Sequence, residues 1–107
     1  MAVNFRWELR AMYKILIVDD EKIERNGIRM LLNSLGYSFE IAEASNGQAA
    51  YDLMSGNEFD IVLTDIKMPF MNGMELIKKC RDNGSEQKFI IFIGCNEFGY
   101  AKQAVKM

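Results

Sequence analysis

Two apolar runs in this chain end in carboxylates. Tyr13-Lys14-Ile15-Leu16-Ile17-Val18 leads into Asp19-Asp20-Glu21, and Ile61-Val62-Leu63-Thr64 leads into Asp65, followed by a short loop marked by Pro69. Each run has the length and β-branched character of a strand, so the carboxylates stand at two strand tips. If the tips are neighbours, Asp19, Asp20 and Asp65 meet at one point. Like charges there repel, and a hard cation relieves the repulsion; magnesium suits the site because it needs few protein oxygens. The expected chemistry is a divalent cation beside a carboxylate nucleophile. Taken alone, Asp19-Asp20-Glu21 suits the N-terminus of a helix equally well.

The elements that must position these residues follow from the hydrophobic pattern. Strands are predicted near 13–18, 38–44, 59–64 and 88–93, and helices near 21–35, 46–55, 72–82 and 97–107. The alternation is that of parallel βα units, and the runs Ile15–Val18, Ile61–Leu63 and Phe89–Ile93 are continuous, as strands covered on both faces should be. In such a sheet ligands bind at C-terminal strand ends where the strand order reverses, which an order 2-1-3-4 places between the first and third strands. The first helix carries Ile23, Gly27, Leu31 and Leu35 at four-residue spacing, with Ile28 and Leu32 alongside and Lys22, Arg25 and Arg29 facing out. Gly36 suits a left-handed cap, and Asn46 and Asn72 suit helix N-caps. Pro69 and Gly73 also read as loop punctuation, and Met68, Met71 and Met74 as packing residues.

Composition narrows the function classes. The chain has 107 residues, half of them hydrophobic, enough for one core. Thirteen basic and fifteen acidic residues give a formal charge of -2 with no basic cluster, which argues against direct nucleic-acid binding. No run approaches the roughly 18 apolar residues of a membrane span and no signal peptide opens the sequence, so the expected compartment is the cytoplasm. Cys80 and Cys95 have no histidine to share a metal with, and read as small buried hydrophobes. Without histidine there is no Ser-His or Cys-His nucleophile pair.

Residues 1–11 read as an N-terminal extension to a domain over 12–107. Val3, Phe5, Trp7 and Leu9 alternate with polar residues, a strand-like period, although Val3 and Trp7 also share a helix face. The segment reads first as an upstream extension with no fixed structure; an added strand, the alternative, would lie beside the second strand within one chain, or beside the fourth in a homodimer.

The segments Ile17-Val18-Asp19-Asp20-Glu21, Asp65-Ile66-Lys67-Met68-Pro69-Phe70-Met71-Asn72-Gly73 and Asn96-Glu97-Phe98-Gly99-Tyr100-Ala101-Lys102 together resemble the receiver domain of bacterial two-component response regulators, over about residues 12–107. The last segment is most similar to receivers attached to AraC-type DNA-binding output domains. The resemblance implies a flavodoxin-like, CheY-like α/β fold: a doubly wound parallel sheet of order 2-1-3-4. It also implies that Asp65 is the phosphoacceptor, charged by a sensor histidine kinase, and that Mg²⁺ is held by Asp19, Asp20, Asp65 and the backbone carbonyl of Lys67. On this reading the chain is a signalling domain and not an enzyme.

Two departures from the family pattern stand out. The family's hydroxyl at the end of the fourth strand falls at Ile93, followed by Gly94, and isoleucine has no hydrogen-bond donor to offer a phosphoryl group. The sequence also stops at Met107, before the family's fifth strand, its lysine and its fifth helix. The expectation is a partial receiver with an impaired switch, whose fourth strand is an open apolar edge prone to self-association. Two alternatives remain open. A noncatalytic interaction module would use the fold for docking alone. A haloacid-dehalogenase-like phosphatase would need a second aspartate two residues after the first, where this chain has Lys67.

Overall fold

The continuous apolar runs become the inner strands of one sheet. The structure, a computed structural model, describes residues 12–93 and 103–106. In chain order the elements are β1 (Tyr13–Val18), α1 (Lys22–Asn33), β2 (Phe39–Ala44), α2 (Gly47–Gly56), β3 (Ile61–Asp65), α3 (Gly73–Asp82), β4 (Phe89–Ile93) and β5 (Gln103–Lys106). The sheet order is β2-β1-β3-β4-β5, and the first four strands are parallel as expected. β1 pairs Ile15 with both Ile41 and Ile61, so it has a ladder on each edge.

Alternation along β1 divides the core into two layers. Leu16 and Val18 face α2 and α3, packing with Val62, Ala50, Leu76, Cys80, Phe89 and Ile91. Ile15 and Ile17 join Leu63 on the opposite face, against Ile28 and Leu32 of α1. Helices therefore lie on both faces, two on one side and one on the other, which is why both sides of the inner strands had to be apolar. Cys80 is buried with a free thiol, in keeping with its reading as a small hydrophobe, and burial pushes that thiol's pKa up. Met68 is buried and Met71 half-buried, whereas Met74 is exposed.

The caps form where the asparagines stand. The Asn46 side chain accepts from the Ala49 backbone N–H at 2.7 Å. Asn72 and Glu75 form a reciprocal capping box, with bonds of 2.8 and 2.9 Å. Gly36 adopts φ +83°, the left-handed conformation expected after α1.

Two expectations are corrected. α1 turns a different side inward: Ile28 and Leu32 pack on the sheet, while Ile23, Leu31 and Leu35 are exposed. Arg25 and Arg29 do not face solvent freely but converge on Glu43 of β2, at 2.8 and 2.7 Å. That pairing rotates the helix toward the second strand, and the burial of long aliphatic stems accompanies it.

The second correction concerns the predicted helix over 97–107. Its Gln103–Lys106 portion is β5, antiparallel to β4 with Ile90 opposite Lys106 and Ile93 opposite Gln103. β4 has a free row of backbone donors and acceptors on the side away from β3, and a ladder satisfies more of them than a helix could. β4 is consequently not an open edge, and the place beside it proposed for an N-terminal strand is taken. The remainder of that predicted helix, Gly94, Cys95 and residues 1–11 lie outside the described residues.

Candidate functional site

The strand order reverses between β1 and β3, and the two carboxylate-bearing tips meet there. Asp65 is the last residue of β3 and pairs with Phe92 of β4, while Val18 pairs with Thr64 one step earlier. Asp19 follows β1 directly, tied by its N–H to the Ala44 carbonyl of β2 at 3.1 Å. Both carboxylates are buried, at 1% exposure for Asp19 and 6% for Asp65.

The third carboxylate of the group is Glu24. Oxygens of Asp19, Glu24 and Asp65 lie within 4.8 Å of one another, and Glu24 reaches them from the first turn of α1. Asp20, the residue expected in that place, is exposed and borders a cleft of about 550 Å³ with Asn46, Gly47, Phe70 and Met71. The structure thus brings Asp19 and Asp65 together, sets Asp20 at the rim, and adds a residue the sequence reading missed. The available signal was an acid three residues into a helix that begins at the tip itself, a position that faces back toward the strand end.

The loop after Asp65 is held tightly. Gly73 donates its N–H to the Ile66 carbonyl at 2.9 Å, and a Cβ on Gly73 would stand 2.5 Å from the Asp65 carbonyl oxygen. Gly73 is therefore required for the close approach of α3 to the strand end, beyond any role as punctuation. Thr64, fully buried, donates its hydroxyl to the same Asp65 carbonyl at 3.0 Å. Between them Phe70 takes φ +67°, with its ring wholly exposed. Lys67 sits in this loop with an exposed side chain, two residues beyond the strand end.

Around the carboxylates the polar framework is continuous. Asp19 accepts the Glu21 backbone N–H at 2.9 Å through one carboxylate oxygen, and Arg25 donates to the Asp19 carbonyl at 2.6 Å. Arg25 and Arg29 then hold Glu43, whose pKa is lowered chiefly by the Arg29 hydrogen bond and further by Arg25, against an opposing contribution from burial. Ile93, the last residue of β4, follows Phe92, the partner of Asp65, by one residue along the strand.

Residues 15–107 match the response regulator receiver domain. The chain belongs to this family. This receiver is 45% identical over 97 residues to YesN, an uncharacterized transcriptional regulatory protein of Bacillus subtilis, covering 89% of this chain and 26% of YesN. It is 38% identical over 90 residues to a chemotaxis protein CheY homolog of Campylobacter jejuni, covering 83% of this chain and 68% of that protein. The fold matches the response regulator TrrA of Thermotoga maritima, solved in complex with Mg²⁺ and BeF, with a TM-score of 0.68 and 34% identity, over 75% of this chain and 68% of that one. The receiver therefore spans about a quarter of the YesN relative. Among its described residues no helix is long and apolar enough to cross a membrane.

Proposed function

We propose that this receiver accepts a phosphoryl group on Asp65 from a phosphohistidine of a sensor histidine kinase, with Mg²⁺ as cofactor. The observation that carries the reading is a buried aspartate at the tip of β3, grouped with other carboxylates at the point where the strand order reverses. The TrrA relative with Mg²⁺ and BeF supports it.

The donor set suits the cation. Carboxylate oxygens of Asp19, Asp20 and Asp65 and the Lys67 backbone carbonyl are hard ligands of the kind the ion takes. When bound, the ion offsets repulsion between the Asp65 carboxylate and the phosphoryl oxygens. Asp65 supplies the nucleophile without a general base: one carboxylate oxygen forms the O–P bond as the donor's P–N bond breaks, and the imidazole leaves with that electron pair. Thr64 donates to the Asp65 carbonyl and the backbone of Gly73 packs close to it, which restrains the main chain that carries the attacking carboxylate.

The reading extends to output. The domain acts as a signalling module in the cytoplasm and not as a multiple-turnover enzyme, and its phosphorylation feeds transcription regulation, as the names of relatives such as YesN suggest. Ile93 offers no hydroxyl to the phosphoryl group, so the conformational response is weak: a ligand shifts an equilibrium only through contacts that differ between the two states.

The test uses acetyl phosphate as donor, with Mg²⁺, and intact-protein mass as readout. One phosphoryl group on the parent, held as an acid-labile acyl phosphate, and none on Asp65→Asn is the expected result. Equal labelling of Asp65→Asn would place the acceptor elsewhere, and no labelling of the parent would favour the noncatalytic interaction module.

A further inference from the structure

We propose that the ring of Phe70 receives the imidazole of the phosphohistidine donor, making Phe70 the residue that positions the leaving group at this site. The inference rests on the phosphoryl transfer proposed above and names a residue that selects its donor.

Phe70 holds a conformation that packing does not explain. Its φ of +67° lies in the left-handed region, which among the described residues it shares only with Gly36 and Gly84. Across it the Met71 N–H donates to the Pro69 carbonyl at 2.7 Å, so Phe70 is the central residue of a γ-turn of the rare, strained kind. The turn is anchored from its far side. Met71 lies so close to Gly47 at the start of α2 that a Cβ on Gly47 would stand 2.8 Å from the Met71 Cγ and Sδ. The backbone is thus held in a strained form while the side chain it presents is wholly exposed. Strain that is fixed by the surroundings and brings no packing points to a contact made outside the chain.

The place of the ring identifies that contact. Pro69, Phe70 and Met71 line a cleft of about 550 Å³, with Asp20, Ser45 and Asn46 among the other lining residues. Asp20 adjoins Asp19, whose carboxylate lies within 4.8 Å of that of Asp65, so the cleft opens beside the proposed acceptor. Asp20 is also the one charged residue in the lining, which favours a cation or an N–H donor over an anion. A phosphohistidine protonated on the nitrogen that carries no phosphorus is a planar cation, and the face of a phenylalanine ring attracts such a group. As the Asp65 oxygen forms its bond to phosphorus, the P–N electron pair passes to the ring, and the imidazole departs neutral with its other proton in place. Phe70 would touch only the ring, so its effect belongs to donors that have one.

The test compares second-order rate constants for labelling of the full chain in Mg²⁺ by three small donors, read by intact-protein mass. Phosphoimidazole has the P–N bond and the ring, phosphoramidate has the P–N bond alone, and acetyl phosphate has neither. The readout is the ratio of the phosphoimidazole to the phosphoramidate rate constant within each protein. Phe70→Leu is expected to lower that ratio about fivefold, and Phe70→Trp to restore it. Far-UV circular dichroism confirms that both variants are folded. If Phe70→Leu keeps the ratio of the parent, the ring does not bind at Phe70, and labelling of Asp65 stands without it. If Phe70→Leu slows all three donors by the same factor, Phe70 acts on the loop that carries Asp65, and the donor contact is wrong. If the parent takes no label from any donor, the underlying transfer fails and the donor contact with it.

Discussion

Gly73 and Phe70 show how much the chemistry at Asp65 depends on backbone. A methyl group on Gly73 would meet the Asp65 carbonyl oxygen at 2.5 Å, and neither atom belongs to a flexible side chain. Gly73→Ala should therefore destabilise the fold by about 1–3 kcal/mol, as overpacking does, and should lower Asp65 labelling; urea denaturation and acetyl phosphate labelling check both. Phe70 is the opposite case. Its left-handed backbone costs roughly 1–2 kcal/mol for an L-residue, and its exposed ring gains no packing. Phe70→Gly should raise stability by about 0.5–1 kcal/mol, part of the relief being offset by glycine's greater chain entropy. At this scale the sequence was legible where a residue follows a strand directly, as Asp19 and Asp65 do. Glu24 was not, because its proximity depends on the direction in which α1 leaves the strand tip, which no spacing within the strand encodes.

The elements differ in how plainly their sequences specify them. Continuous apolar runs identified three of the four parallel strands, β2 with its two glutamates being the exception, and the asparagines marked two helix starts. The inward side of α1 was harder to read, because apolar residues fall on more than one side of it. Ile23, Leu31 and Leu35 keep helical spacing as well as Ile28 and Leu32 do, and the choice between them is made by Glu43 on the neighbouring strand. β5 was misread for a similar reason: Gln103-Ala104-Val105-Lys106 has no strong preference of its own, and the edge of β4 decides its conformation. The Glu43 pair makes a prediction. Arg29 and Arg25 hold the Glu43 carboxyl below its ordinary value of 4.5. A depressed folded-state pKa contributes stability that is present above 4.5 and lost as pH falls through the folded value. Glu43→Gln should accordingly flatten the loss of stability below pH 4.5, measured by thermal melting across an acid series, and leave Asp65 labelling in place.

Across the whole molecule, the carboxylate group joins parts of the chain that are distant in sequence. Asp19 follows β1, Glu24 is on α1 and Asp65 ends β3, so a cation bound at Asp19 and Asp65, as proposed, would link the first βα unit to the third strand. Binding of an ion to the native state alone stabilises it by about 2.7 kcal/mol at a concentration one hundred times the dissociation constant. Without the ion, the same carboxylates repel, and removing one charge relieves that repulsion. Two opposite effects of one substitution follow. In EDTA, Asp65→Asn should unfold at higher urea concentration than the parent, because the amide carries no charge. With saturating Mg²⁺ the parent should gain stability and Asp65→Asn should gain much less, so that the order of the two proteins narrows or reverses. Paired urea titrations with and without Mg²⁺ measure both effects. If Mg²⁺ shifted the two proteins equally, the ion would be acting on the surface at large and not at the junction of β1, α1 and β3.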